Sequence, residues 1–425
     1  MRNRSLCATT TIAIAVFAML LPAALGAAPS QRTLRVWNFD EKTAVGIAWD
    51  YAIKQFEASH PGIKIQHEEK GYEQIRQTGM MILNSDEAPD LLLYPKGNAT
   101  AGLASRQGLM TDLSSEAAKR GWNKILSPSV QAVCRYDENG VMGSGKWYGV
   151  TDYGEYVMVY YNKDMFKKYG VKVPKTFAEF EMVMDQFVKA GITPMATSAI
   201  EYPANQVFYE LSLTKADRKF VDAFQLFKGE VNFQGPEFTF GAERLLQWVK
   251  NGYVSKDATS QKAEDMGIAF ETAKAPLMIT GTWWYGRLVN EIKDFDWGTF
   301  LLPGGRMHQG SGGHIWVVPA KSKNKDIAYD FIDLTLTKDV QTVMGNNGGI
   351  PVNADLSKIT DSKFQELIAN FMTIMKDDGL SYYADWPVPG FYDVLNSAMQ
   401  ELISGTKTPH QILADLNNAY SEGRK

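Results

Sequence analysis

The alternation of short apolar segments with longer amphipathic ones predicts an α/β fold. The length agrees with this, because 425 residues at about 150 residues per domain correspond to two or three domains. The composition agrees as well. A hydrophobic content of 45% and a charged content of 22% are ordinary for a globular protein, and they exclude a largely disordered or fibrous chain.

The N-terminal part of the fold predicts three strands and one helix. The strands are expected at residues 34–39, 63–65 and 90–94. The helix lies between the first two strands, since residues of one face recur there at a spacing of four, at Ala44, Ala48, Ala52 and Phe56. It should end at His60-Pro61-Gly62, because proline and glycine do not continue a helix.

The rest of the chain continues the alternation. The glycine-rich segment 140–149 predicts a hairpin, and residues 156–161 predict a strong strand. Thr176 forms a capping box with Glu179, which predicts the start of a helix. Further helices are expected at 203–228, 241–251, 324–345 and 390–404, and further strands at 275–279 and 314–319.

Residues 1–28 have the pattern of a secretory signal peptide. Two arginines lie in Met1–Arg4, an apolar run follows at Ile12–Leu21, and small residues occupy Ala24–Ala28. The run is shorter than the ~20 residues that a membrane span needs. We therefore expect an exported, periplasmic protein.

The cysteines agree with a protein that is free in that compartment. Cys7 lies inside the predicted signal, so the mature chain keeps only Cys134 and forms no internal disulfide. A lipid-anchored precursor would carry a cysteine directly after the apolar run, where this chain has none. We expect no lipid anchor.

Several function classes are disfavoured by composition and motif. With 44 Lys+Arg against 48 Asp+Glu, the formal net charge of −4 provides no basic surface for nucleic acid. The segment Gly140–Trp147 nearly matches a phosphate-binding loop, but Trp147 stands where a Ser or Thr is needed. There is no Gly-x-Ser-x-Gly or His-Glu-x-x-His motif, and the five histidines lack metal-ligand spacing. We expect no metal and no cofactor.

Two alternatives stay open at this point. A glycosidase needs only two carboxylates across a cleft, and Glu155, Glu201 and Asp385 lie in predicted loops. Ferric iron could be bound by tyrosines, and the pairs Tyr160-Tyr161 and Tyr382-Tyr383 are candidates. The first pair lies in a strand and points to opposite faces, so packing accounts for it.

The aromatic residues indicate the kind of ligand. They make up 12% of the chain, and many stand where strands end or loops turn, the places where open α/β sheets bind ligands. Large rings there offer flat apolar faces to the C–H groups of a sugar. Trp49, Trp248 and Trp316 lie on regular elements instead and are predicted to be core residues.

Four stretches resemble the extracellular solute-binding protein family of ABC importers, in the sugar-binding branch that includes maltose-binding protein. They occur in the family's order along nearly the whole mature chain. The stretches are Phe56–Lys64, Ala88–Leu91, Gly145–Val150 leading to Tyr160–Asp164, and Gly312–Pro319.

The resemblance implies an α/β fold of two lobes joined by several chain crossings, with the ligand held between them. Lobe one would comprise residues 29–149 plus 304–347, and lobe two residues 150–303 plus 348–425. Such a protein performs no reaction; it acts as a monomer that captures a mono- or short oligosaccharide and delivers it to a membrane permease.

The resemblance also implies where the ligand-binding residues lie, at strand exits and in the loops that face the cleft. Carried over to this sequence, they are Trp37, Asn38, Tyr72, Lys96, Asn98, Asp152, Tyr153, Glu155, Tyr202, Gln206, Trp283, Trp284, Gly312, Gly313, Asn347, Asp385 and Trp386. Relatives that bind a phosphorylated glycerol carry an arginine near the C-terminal loop. This chain has no arginine between Arg306 and Arg424, so an uncharged sugar is expected.

Overall fold

The computed structural model describes residues 31–39 and 43–425, so the predicted signal peptide at 1–28 lies outside the described residues. The strands are β1 (Arg32–Asn38), β2 (Ile63–Glu69), β3 (Leu91–Tyr94), β4 (Arg135–Tyr136), β5 (Lys146–Trp147), β6 (Tyr153–Asn162), β7 (Met195–Ala196), β8 (Leu277–Gly281), β9 (Trp297–Phe300), β10 (Gly310–Gly312), β11 (Ile315–Val317) and β12 (Ile350–Pro351).

The helices surround these strands. They are α1 (Ala44–Ser59), α2 (Tyr72–Asn84), α3 (Leu103–Arg106), α4 (Ser114–Arg120), α5 (Trp122–Ile125), α6 (Pro128–Gln131), α7 (Lys163–Lys168), α8 (Phe177–Lys189), α9 (Pro203–Leu213), α10 (Arg218–Leu226), α11 (Pro236–Lys250), α12 (Ala263–Glu271), α13 (Tyr285–Glu291), α14 (Lys325–Thr335), α15 (Lys338–Gly345), α16 (Ser362–Lys376), α17 (Phe391–Ser404) and α18 (Pro409–Gly423).

Two larger open sheets organise the fold. In the first sheet the strand order is β11-β3-β1-β2, with β1 parallel to β2 and β3. The second sheet is built around the long strand β6, which pairs antiparallel with β8, β9, β10 and β12. We call the first sheet with its helices the first lobe, and the second sheet with its helices the second lobe.

Local sequence signals predicted many of these elements. Helix α1 buries Ala48, Ala52 and Phe56 and ends at His60, as the spacing of four indicated. The capping box of Thr176 and Glu179 is present at the start of α8. The predicted hairpin is also confirmed, since β4 pairs antiparallel with β5.

Two predicted helices are each divided in the structure. The segment 203–228 forms α9 and α10, because the carboxylate of Asp217 accepts a hydrogen bond from the Phe220 backbone and begins a new helix. The segment 324–345 forms α14 and α15, which restart after Thr337. Both changes turn the chain at the surface.

The chain passes between the lobes at three places. It leaves the first sheet after Val150, which is bridged to Trp316, and enters β6 at Tyr153. It returns between β10 and β11, and it crosses again between α15 and β12. The pairing of β10 with β6 places the second of these crossings after Gly312.

The cores lie between each sheet and its helices. Trp49, Trp248 and Trp316 are each at most 1% exposed, which confirms the prediction that they are core residues. Within the described ranges, no helix is both long and apolar enough to span a membrane.

Candidate ligand-binding cleft

A cavity of about 250 Å³ lies between the two lobes. The first lobe contributes residues that follow β1 and begin α1 and α2, and the second contributes β6, the start of α9, the turn after β8 and the loop before α17. The lining residues are Phe39, Thr43, Ala44, Val45, Tyr72, Tyr153, Gly154, Glu155, Tyr202, Gln206, Thr282, Trp283, His314, Gly348, Gly349, Ile350, Tyr383, Asp385, Trp386 and Tyr392.

Aromatic rings form much of the wall. On the first lobe, the ring of Phe39 lies 5.4 Å from that of Tyr72, centre to centre. On the second lobe, the ring of Tyr383 lies 6.0 Å from that of Trp283 and 4.9 Å from that of Trp386. Because they pack against one another, these rings hold fixed orientations and present apolar faces to the cavity.

A buried ion pair joins the lobes behind this wall. Lys96, which follows β3, places its ammonium 2.6 Å from a carboxylate oxygen of Glu155 in β6. The Lys96 side chain is 0% exposed and that of Glu155 is 6% exposed. Glu155 lines the cavity, whereas Lys96 lies outside the lining.

The loop before α17 also docks against the first lobe. The backbone N–H of Ala99 donates a hydrogen bond of 2.9 Å to the carbonyl oxygen of Trp386. Gly97 has φ of +98°, and a Cβ there would lie 2.8 Å from the Trp386 side chain. Glycine is required at this position by both the backbone conformation and the close approach of the ring.

A third inter-lobe contact closes the rim of the cleft, and we call it the rim clasp. It consists of Glu73 and Arg76 on α2 with Tyr392 and Asp393 on α17. The Tyr392 hydroxyl donates to Glu73 (2.9 Å), and the Arg76 guanidinium donates to Asp393 (3.1 Å). That guanidinium also lies 4.1 Å from the centre of the Tyr392 ring.

Polar groups that face the cavity retain unused hydrogen-bonding capacity. Burial raises the pKa of Asp385 to about 6, so its carboxylate is mostly ionised at neutral pH. Burial, with a smaller contribution from Lys96, lowers the pKa of His314 well below its usual value and keeps the ring neutral. The His314 Nδ1 atom has no hydrogen-bond partner within residues 31–39 and 43–425. A bound ligand could satisfy these groups.

Eight of the residues expected at the site line the cavity together. Tyr153 and Glu155 come from β6, and Tyr202, Gln206 and Trp283 come from α9 and the turn after β8. The remaining three residues are Tyr72, Asp385 and Trp386.

The other expected residues lie outside the lining. Trp37 packs its ring 4.2 Å from the ammonium of Lys70, Asn38 bonds to His67 (2.9 Å), and Asn98 donates to the Gln225 carbonyl (2.8 Å). Trp284 donates to the Tyr202 hydroxyl (3.1 Å), and Asn347 donates to the Val343 carbonyl (2.8 Å). Gly312 ends β10, Gly313 follows it against the Tyr153 ring, and Lys96 lies behind Glu155.

Asp152 is also a core residue of the crossing. Its carboxylate accepts hydrogen bonds from the indoles of Trp49 (2.7 Å) and Trp316 (3.1 Å), while its carbonyl accepts from Gln341 (2.7 Å). Burial raises the pKa of this carboxyl group to about 6. Asp152 therefore ties three elements of the first lobe to the segment where the chain crosses.

Sequence reasoning missed other lining residues. Tyr383 and Tyr392 flank the Asp385-Trp386 loop, so the aromatic signal used elsewhere would have included them. Phe39 directly follows the expected pair Trp37-Asn38, and the position of the strand end decides which of them reaches the cavity. Ala44, Gly154 and Gly348 carry no chemical signal that separates them from other small residues.

The residues behind the two alternatives left open by the sequence lie in different places, and two of the three glycosidase candidates, Glu155 and Asp385, line the cavity. The third glycosidase candidate, Glu201, accepts a hydrogen bond from the Ala263 backbone at the start of α12. The Tyr160 hydroxyl donates to the Gly281 carbonyl within the core. Among the described residues, no group of three or more His, Cys, Asp or Glu side chains could hold a metal ion.

Comparison with known proteins identifies the protein family. A putative binding protein of Brucella abortus is 23% identical over 411 residues, covering 93% of this chain and 94% of its own. A multiple sugar-binding protein of Streptococcus mutans is 22% identical over 330 residues, covering 74% of each chain. A solved chitin oligosaccharide binding protein is 19% identical and gives a TM-score of 0.77 over 93% of this chain and 100% of its own.

The fold likeness confirms the predicted two-lobed α/β architecture. A sequence profile of the bacterial extracellular solute-binding proteins matches residues 40–342, which is more than half of the chain. The chain therefore belongs to the bacterial extracellular solute-binding protein family, and it is a binding protein rather than an enzyme.

Proposed function

We propose that this protein is the periplasmic carbohydrate-binding component of an ABC importer. It captures one sugar unit between its two lobes and delivers it to a membrane permease. The observation that carries the proposal is an inter-lobe cavity with flat aromatic walls and polar groups that still need partners.

The volume favours a single sugar unit over a longer oligosaccharide. About 250 Å³ lies below the ~300–1,000 Å³ of pockets that take drug-sized ligands. A pyranose ring with its hydroxyl groups fits this space, whereas an extended chain would have to leave through the rim clasp. The inter-lobe contacts of Trp386 and Arg76 close that route in the present arrangement.

The chemistry of the wall favours hydroxyl groups. Each sugar hydroxyl can both donate and accept, so it can serve the carboxylate of Asp385, which accepts, and the amide nitrogen of Gln206, which donates. The C–H faces of the ring can then pack on Trp283 and Trp386. No lysine or arginine is among the described lining residues, which disfavours an anionic ligand.

The names of two relatives agree with this class of ligand, since they are a multiple sugar-binding protein and a chitin oligosaccharide binding protein. For cellular placement we propose a signal peptide at residues 1–28, a periplasmic monomer without a lipid anchor, and no nucleic-acid partner. The ligand would be captured by closure of the lobes around crossings near Asp152, Gly313 and Asn347.

A thermal-shift screen tests the proposal. Purified protein is melted with D-glucose, D-galactose, D-mannose and D-xylose, and with di- and trisaccharides built from the same units. A ligand that binds only the folded state raises the melting temperature by mass action. We expect a monosaccharide to give the largest shift and to be recovered unaltered. No shift with any sugar refutes the proposal, and sustained turnover of a glycoside would favour the hydrolase alternative.

A further inference from the structure

We propose that Lys96 is a positioning residue for ligand binding. It reaches across from the first lobe, pairs with Glu155 of the second lobe when the lobes close, and holds that carboxylate toward the ligand without touching the ligand. The inference rests on the proposed function and concerns the same cleft.

Lys96 and Glu155 take different positions relative to the cavity. One oxygen of the Glu155 carboxylate accepts from the Lys96 ammonium at 2.6 Å, while Glu155 itself lines the cavity. The Lys96 side chain is fully buried and does not reach the cavity surface. A ligand hydroxyl can therefore donate to Glu155 while Lys96 remains behind it.

Three aromatic rings stand around the ammonium and line the same cavity. The Lys96 nitrogen lies 5.3 Å from the centre of the Trp386 ring, 5.8 Å from that of Tyr383 and 6.0 Å from that of Tyr153. Cations are attracted to such faces, so the three rings stabilise the buried ammonium.

The energetics explain why the pair positions Glu155 rather than drives closure. Two charges lose their hydration as the lobes meet, and their attraction does little more than offset that cost. Removing one partner is much more damaging, because the other charge is left buried and uncompensated. The Lys96 ammonium donates a charge-assisted hydrogen bond of 2.6 Å to the Glu155 carboxylate, and such bonds are shorter and stronger than neutral ones, which suits them to fixing a side chain in place.

A double-mutant cycle tests the inference. We compare Lys96→Met, Glu155→Gln and the double variant with the wild type, using the monosaccharide of the panel that gives the largest wild-type shift. Affinity is measured by titration of tryptophan fluorescence, and folding by circular dichroism of the ligand-free proteins. Lys96→Met should lose roughly 100-fold or more in affinity, the fold-change that corresponds to an unpaired buried carboxylate.

The double variant should bind at least about tenfold more tightly than Lys96→Met, since it leaves no unpaired charge and the amide that replaces the Glu155 carboxylate still offers a carbonyl oxygen. It should also bind more tightly than Glu155→Gln, a comparison that holds even if Lys96→Met does not fold.

Three outcomes would overturn the inference. Wild-type affinity in Lys96→Met would make the pair dispensable. A double variant no better than either single variant would assign Lys96 to direct contact or to packing. A wild type that binds no sugar would refute the proposed function, and this inference with it.

Discussion

The rim clasp yields a prediction that separates closure of the cleft from contact with the ligand. Arg76 is only 15% exposed and reaches from α2 to α17, yet it does not line the cavity. Replacing Arg76 with Met keeps an unbranched apolar side chain on α2 but removes the guanidinium that lies over the Tyr392 ring. The ligand contacts themselves remain unchanged.

The magnitude follows from the two inter-lobe contacts that the substitution removes. Asp393 is 69% exposed, so its ion pair with Arg76 contributes about 0.2–1 kcal/mol. The guanidinium over the Tyr392 ring adds about 0.5–1 kcal/mol. The bond of Arg76 to Glu73 lies within α2 and does not change on closure. The closed state should lose about 0.7–2 kcal/mol, which is an affinity loss of roughly 3- to 30-fold.

The assay measures dissociation as well as affinity. Because the clasp joins the two lobes across the cleft, the loss should appear mainly as faster dissociation in stopped-flow fluorescence of the bound monosaccharide. Raising the ionic strength should lower the sugar affinity of the wild type toward that of the variant, since the ion pair of Arg76 and Asp393 is partly exposed. Small-angle scattering of the ligand-free variant should show an equal or larger radius of gyration.

A matched control is available on the first lobe. Arg32 pairs with Asp326 at 2.8 Å, joins β1 to α14 and touches nothing on the second lobe among the described residues. Arg32→Met should leave binding unchanged. If Arg76→Met binds and releases the sugar like the wild type, or loses no more than Arg32→Met, then the clasp does not hold the cleft closed.

Other variants test the wall and the crossing. Trp283→Ala and Trp386→Ala should both abolish the sugar-induced shift in melting temperature. Only Trp386→Ala should also lower the free energy of unfolding strongly, by about 3–5 kcal/mol. The reason is that the Trp386 ring is 7% exposed and packs against Gly97. An unchanged ligand-free melt of Trp386→Ala would contradict that packing. The pKa of Asp152 is about 6, above the usual 3.8 of an aspartic acid. The folded state therefore holds this proton more tightly than the unfolded state does, and the stability that results is greatest below pH 4. It is lost as the pH rises through 6, by roughly 3 kcal/mol in all. The free energy of unfolding of Asp152→Asn, measured in urea, should therefore rise relative to that of the wild type between pH 4 and pH 7. A difference between the two proteins that does not change with pH would refute this assignment.

Elements with local signals were the ones that the sequence predicted well. The capping box at Thr176 and the stop at His60-Pro61 act over a few residues, so their outcome does not depend on the rest of the fold. The division between α9 and α10 also has a local cause, the cap at Asp217, but the apolar pattern on either side conceals it. Helices α16 and α18 were not predicted, although Thr408 and Gln411 form a capping box at the start of α18.

The site was harder to predict because it depends on which side chains face the cavity and which ones pack behind its lining. Lys96 and Glu155 were both expected to bind ligand, and both lie at the cleft, yet only Glu155 lines it. Three rings pack around the Lys96 ammonium, and no spacing in the sequence records that packing. A charged residue near a strand end thus indicated the region of the site but not its own role.

The glycines of the second crossing are required for a reason other than the one that the sequence indicated. Gly312-Gly313 was expected to bring bare backbone close to the ligand. The requirement for glycine is real, because a Cβ on Gly313 would overlap the Tyr153 ring, and one on Gly312 would lie 2.8 Å from Thr151. The neighbour that excludes a side chain is therefore the protein's own ring, and its hydroxyl accepts a hydrogen bond of 3.0 Å from the backbone N–H of His314. Through these contacts the crossing sets the position of Tyr153, so a movement of the crossing on opening would move one wall of the cleft directly.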